Sequence, residues 1–301
     1  MPRPPWRALA APGPASALLA VAGRPARPGG LFLSTTHLGK PWRFYRGFNN
    51  LRWSPVSREG LATVVFLFFA AVQGALWLPG HPWAAALGLA LPAPSWLAGA
   101  RAALAVLTAL AGLAALYYMY RCYRIKARPF WDTPQTATAF LGNALALGAL
   151  AAGAVAWAAA GWGPWLGPLA ALLALGLAVE GLGLWWHARH LNTAGHEGSA
   201  SHYIQCTTFG KTYLARNLLL GANTAAAAAL AWIGPAAWPL GLFLAVTVPL
   251  AALVGRALFY VLVVPTTLPG AFFWRNKAFE QHARDIGLAA NPAVGVPLHD
   301  H

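Results

Sequence analysis

The chain is 301 residues long, 58% hydrophobic and only 9% charged, with a formal net charge of +14. Soluble domains carry about 25% charged residues, so this composition excludes an ordinary globular protein. The basic excess does not point to a nucleic acid, because the Lys and Arg residues fall in short stretches between apolar runs. Several of those runs approach the roughly 20 residues a helix needs to cross a bilayer. They are rich in Ala, Leu and Gly and lack the alternation of a β-barrel, which leaves helices to satisfy the backbone in lipid. The expected fold is all-α, a polytopic transmembrane helix bundle.

Residues 1–30 mix four arginines with repeated prolines and offer no uninterrupted apolar run long enough to span. Proline inside a helix removes a hydrogen bond and clashes with the preceding turn. A dense polar block follows, from His37-Leu38-Gly39-Lys40-Pro41 to Ser54-Pro55-Val56-Ser57-Arg58-Glu59. It joins a histidine and a carboxylate to five Lys/Arg residues: Lys40, Arg43, Arg46, Arg52 and Arg58. Six spans are then expected, at about 60–78, 98–120, 136–160, 165–187, 214–234 and 239–264. Aromatic residues such as Trp77, Tyr117, Trp162, Trp185 and Tyr260 mark their ends, as rings suited to the headgroup region do. Residues 31–264 form the expected membrane domain and 265–301 a polar tail.

Threading six spans puts the segments 37–59, 121–135, 188–213 and 265–301 on one face. They hold most of the cations, including Arg43, Arg46, Arg121, Arg124, Lys126, Arg128 and Lys277. The other face has short connections around 79–97, 161–164 and 235–238, with Arg101 just beyond the first. The positive-inside rule makes the charged face cytoplasmic. Its arginines, Arg43, Arg46, Arg121 and Arg124 foremost, are candidates for docking a partner.

The chemistry-bearing residues are few. His37 titrates near neutral pH without perturbation, and Glu59 can be brought into that range by burial. Read alone, His37 is a helix-end histidine among headgroups and Glu59 a carboxylate stabilised by a helix N-terminus. Arg256 lies roughly 13 Å inside its span and Glu180 roughly 10 Å inside its own, at 1.5 Å per residue. Intramembrane charges are costly and usually pair, so a Glu180–Arg256 pair is expected, as a pocket wall, a proton route or a structural ion pair. His187, His190, His196 and His202 sit at a span end and in a Gly/Ser-rich loop, without the pattern of a haem or metal site. Cys122 and Cys206 are isolated, and iron–sulfur clusters take about four cysteine ligands. No haem, no metal and no cluster are therefore expected in this chain. Nucleotide and hydrolase motifs are absent.

Three stretches resemble one family. Residues 37–59 read HLG-x-P … N-x-x-x-S-x-x-S-x-E, Gly255-Arg256-Ala257-Leu258-Phe259-Tyr260 reads G-R-x-x-F-Y, and Arg121, Tyr123 and Trp131–Pro134 read R-x-Y … W-x-T-P. The pattern resembles the DmsC-type membrane anchor subunits of dimethyl sulfoxide reductase-like molybdenum oxidoreductases. A family glutamate ahead of G-R-x-x-F-Y is replaced here by Ala252, which puts that carboxylate's role in doubt and leaves Glu180 as a substitute.

The resemblance implies eight spans. Leu31–Thr36 would then end the second, and the chain would begin late or from a misread start. It also implies a quinol substrate, menaquinol or ubiquinol, with quinol-binding or proton-transfer roles for His37 and Glu59. Lys40, Glu180, Arg256 and Tyr260 complete the candidate set. The electrons would pass to an iron–sulfur electron-transfer subunit and on to a molybdopterin catalytic subunit, in the inner membrane of a bacterium. This chain would contribute quinol oxidation, with no terminal reductase site of its own. Two other readings stay open: a secondary transporter using Glu180 and Arg256, and a haem-b quinol anchor.

Overall fold

A computed structural model describes residues 41–79, 92, 94–193, 197–262, 277–287 and 290. Among these, every regular element is helical. Five helical stretches are long and apolar enough to cross a membrane, and the last of them, Gly210–Val261, holds two helices joined by a 3-10 turn. The six expected spans are thus all present as helices. The chain is a multi-pass helical membrane protein. Residues 1–36, His37, Lys40 and most of the tail lie outside the described residues.

The chain divides into two compact units, one of residues up to Cys122 with Ala149–Ala170, the other of Tyr123–Gly148 with Ala171–His301. In the first, a 3-10 turn at Pro41–Phe48 packs on α1 (Pro55–Leu76). The polar block explains where α1 begins. Asn50 Oδ1 accepts from the Trp53 N–H at 3.3 Å, and the Ser54 hydroxyl caps the Ser57 N–H at 3.3 Å. Pro55 occupies the first turn, where its missing N–H costs nothing. Arg58 reaches back to the carbonyls of Leu51, at 2.8 Å, and Arg52. Asn50, Ser54 and Arg58 therefore build the helix entrance.

The next helix, α2 (Leu97–Tyr123), is tied to α1 by Arg101. Its guanidinium donates to the Leu76 and Pro79 carbonyls at 3.0 Å each and lies 4.4 Å over the Trp77 ring. The solitary cation of the weakly charged side is thus the cap for carbonyls that α1 leaves open at its end. Deeper in, Thr108 donates to Gln73 at 3.4 Å.

In the second unit, α3 (Pro134–Ala160) and α4 (Leu166–Thr193) contribute their portions 134–148 and 171–193. They cross at glycines. A Cβ on Gly142 would lie 2.6 Å from the Gly176 carbonyl, and one on Gly176 2.7 Å from that of Gly142. In lipid, where apolar burial between helices gains little, such close backbone approach is what holds helices together. A short helix α5 (Glu197–Cys206) leads to α6 (Gly210–Ile233). Gly234, at φ 75°, ends α6, and the turn Gly234–Ala237 feeds α7 (Trp238–Val261). Inside that hairpin Thr247 donates to Asn223 at 2.6 Å. A last helix, α8, covers Lys277–Asp285.

Apolar side chains such as Phe68, Leu110, Leu175, Leu218, Val246 and Leu253 are exposed along these helices. On a soluble protein so much exposed hydrocarbon would be a liability; around a membrane bundle it is the lipid-facing surface. One expectation needs correcting. Residues 197–206, read as Gly/Ser-rich loop, form α5, because Ser199, Ser201, His202 and Gln205 are buried and packed rather than solvated.

Candidate functional site

Glu59 sits one turn inside α1, half-buried, in the first unit. The neighbouring helix exits beside it, and the Cys122 thiol hydrogen-bonds the Glu59 carboxylate. The antiparallel run of α1 and α2 explains the meeting, since one helix enters where the other ends. Arg43, Arg46 and Arg121 are exposed nearby in sequence to this entrance. Their side chains are free of the core, as a docking surface requires.

In the second unit a polar cluster is buried among α3, α4, α6 and α7. Glu180 of α4 is 4% exposed and Arg216 of α6 5%, and their side chains form an ion pair in which the guanidinium donates to the carboxylate. The Asn143 side chain, whose amide donates to the Ala139 carbonyl at 2.8 Å, lines the same cavity as Glu180. Gly255 makes the pairing possible. A Cβ there would lie 3.0 Å from a guanidinium nitrogen of Arg216, so any side chain would press on the ion pair.

The expected Glu180–Arg256 pair is thereby corrected. Arg216 occupies the carboxylate, and Arg256 rests its guanidinium 4.5 Å over the Phe140 ring. Both arginines line the same cavity as Glu180, so the sequence brought the right residues to one place with the wrong partner. Arg216 lies in the second turn of α6. Its helical spacing with Leu220, Asn223 and Ala227, which are all buried, was the signal that it faces inward.

His187 is buried at 4% exposure, and its Nδ1 is 3.1 Å from the Thr133 hydroxyl. The Phe130 ring meets its imidazole edge-on at 4.9 Å. The cavity enclosed by His187, Glu180, Arg216, Arg256 and their neighbours is about 30 Å³. One water needs roughly 10–15 Å³ measured this way, so there is room for one or two.

Tyr260 stands apart from the ion pair. Its hydroxyl shares a 2.7 Å hydrogen bond with Tyr123, in an aromatic group where Trp131 stacks on Phe259 at 5.3 Å. The Trp131 indole donates to the Phe259 carbonyl at 2.8 Å. Asp132 pairs with Arg124, so this carboxylate is held within the unit instead of standing free for a partner. The R-x-Y … W-x-T-P residues thus pin the stretch before α3 against α7 and α4. Among the described residues, no group of three or more His, Cys, Asp or Glu gathers as metal ligands do.

No curated protein and no solved structure matches the chain. Residues 29–262, which take in the polar block and all six long helices, match the family described as DMSO reductase anchor subunit (DmsC), and the chain belongs to that family.

Proposed function

We propose that the chain is the quinol-oxidising membrane anchor of a DMSO reductase-like complex in a bacterial plasma membrane. It takes menaquinol or ubiquinol at the entrance of α1. The electrons go to an iron–sulfur subunit and from there to a molybdopterin catalytic subunit. The single observation that carries this reading is Glu59: a half-buried carboxylate one turn inside the first described span, in a block where Asn50, Ser54 and Arg58 are committed to the helix entrance.

Oxidising a quinol releases two electrons and two protons, so a proton acceptor must stand where the ring can reach it from the lipid. In this reading Glu59 is one acceptor, His37 the other, and Lys40 faces a quinone oxygen. Glu180 and Arg256 serve differently. Their cavity of about 30 Å³ is an order of magnitude below the roughly 300 Å³ at which small-molecule sites begin. It is too small to seat the substrate's ring. The charged loops face the cytoplasm by the positive-inside rule.

The test is turnover of the assembled complex with a quinol donor. His37→Ala is expected to abolish quinol-driven reduction of the terminal acceptor at unchanged assembly. Glu59→Gln should slow it and shift its pH optimum, because shape is kept and the titrating group is lost. Wild-type rates in both variants, at matched membrane levels, would refute the reading.

A further inference from the structure

We propose that the buried cavity of the second unit binds a small inorganic anion of chloride size. The charge count is the first ground. Arg216 and Arg256 bring two positive charges to its wall and Glu180 one negative charge, so one positive charge stands without an opposite. Inside a membrane-spanning bundle an uncompensated charge is costly, and such charges normally acquire a partner.

The second ground is hydrogen bonding. Arg216 Nε and His187 Nε2 are both buried, and neither has a hydrogen-bond partner. Arg216 Nε is a donor in every state. His187 becomes one when the Thr133 hydroxyl donates to its Nδ1, 3.1 Å away, because a neutral imidazole then carries its proton on Nε2. Gln205 adds a third donor: its amide oxygen is taken by His202 at 3.2 Å, which leaves its NH₂ group to offer. The one charged acceptor on the wall, the Glu180 carboxylate, is already engaged by Arg216.

The third ground is size. About 30 Å³ admits one or two waters or a monatomic ion. A water brings protons of its own to place and no charge. A halide has none to place and supplies the missing charge. Bound there, it ties α4 to α6 and α7 through Arg216, His187 and Arg256.

The experiment follows helix melting of the full chain in nanodiscs by circular dichroism. The salt is exchanged at constant ionic strength among chloride, bromide and gluconate, gluconate being too large to enter. Chloride and bromide should each raise the midpoint temperature saturably, and gluconate should not. Arg256→Gln removes the excess charge, and Gln205→Glu supplies a tethered carboxylate. Each should abolish the halide effect or raise the half-saturating concentration at least about tenfold, as loss of one charged partner does. The melting of Gln205→Glu in gluconate should approach that of the wild type in chloride. Equal melting in all three salts would mean that the cavity holds water alone, and would overturn the proposal. An undiminished halide effect in both variants would place the ion elsewhere and overturn it equally.

Discussion

The Arg216 guanidinium and the Glu180 carboxylate, 36 residues apart in sequence, meet inside the second unit, each at most 5% exposed. Breaking such a pair from one side leaves an unmatched charge and costs about 3–5 kcal/mol, whereas removing both partners costs less. Arg216→Ala should therefore be worse for stability than Arg216→Ala with Glu180→Ala. Melting of the purified variants in a double-mutant cycle checks this. Simple additivity between 180 and 216 would show that the ion pair contributes no coupling.

The crossing of α3 and α4 yields a sharper steric test. A methyl at Gly142 or Gly176 would lie within 2.7 Å of the facing helix's carbonyl oxygen, and backbone on both sides leaves it nowhere to go. Gly142→Ala and Gly176→Ala should each destabilise by about 1–3 kcal/mol, the range for overpacked cores. Gly148→Ala, on the same helix α3, meets nothing within 4 Å. It should be neutral or slightly stabilising, because Ala is the better helix former. Parallel melting curves of the three variants decide the matter.

Much of this was legible in the sequence. Apolar runs of about the right length located all six long helices, because in lipid hydropathy and helix coincide. The errors fell where tertiary packing overrode composition. Polar residues 197–206 became a packed helix once Ser201 and His202 found a buried face. Glu180 was recognised as needing a cation, but the choice between Arg216 and Arg256 depends on helix rotation and on the space left by Gly255, which no spacing rule encodes. The capping roles of Asn50 and Ser54 were equally readable from known helix-start chemistry, yet a motif containing them reads as functional throughout.

Cys122 offers a test of how Glu59 is held. Its thiol hydrogen-bonds the carboxylate across the α1–α2 contact. Cys122→Ser keeps a donor at that place and should leave quinol turnover and its pH profile close to those of the wild type. Cys122→Ala removes the thiol from beside the carboxylate. Its quinol turnover should fall below that of Cys122→Ser, with little change in membrane levels. Superimposable profiles for Ala and Ser would make Cys122 a packing residue alone.

The charged face should be where the iron–sulfur subunit docks. A quinol oxidised at the α1 entrance would need the partner's cluster close by, and Glu59 opens the helix that follows the charged stretch 37–59. Arg43, Arg46 and Arg121 are exposed there, and Lys126 is exposed in the stretch between α2 and α3. Such cations complement an acidic partner and make association salt-sensitive, chiefly through its rate. The opposite connections, including the stretch around Gly163, hold almost no charge. Photo-cross-linkers at residues 46, 126 and 277 should capture the partner in assembled membranes, and one at residue 163 should not. Raised salt should weaken capture at the first three. Capture from residue 163 alone would put the partner across the membrane from Glu59, too far for electrons to leave the quinol directly, and would sink the placement of the quinol site.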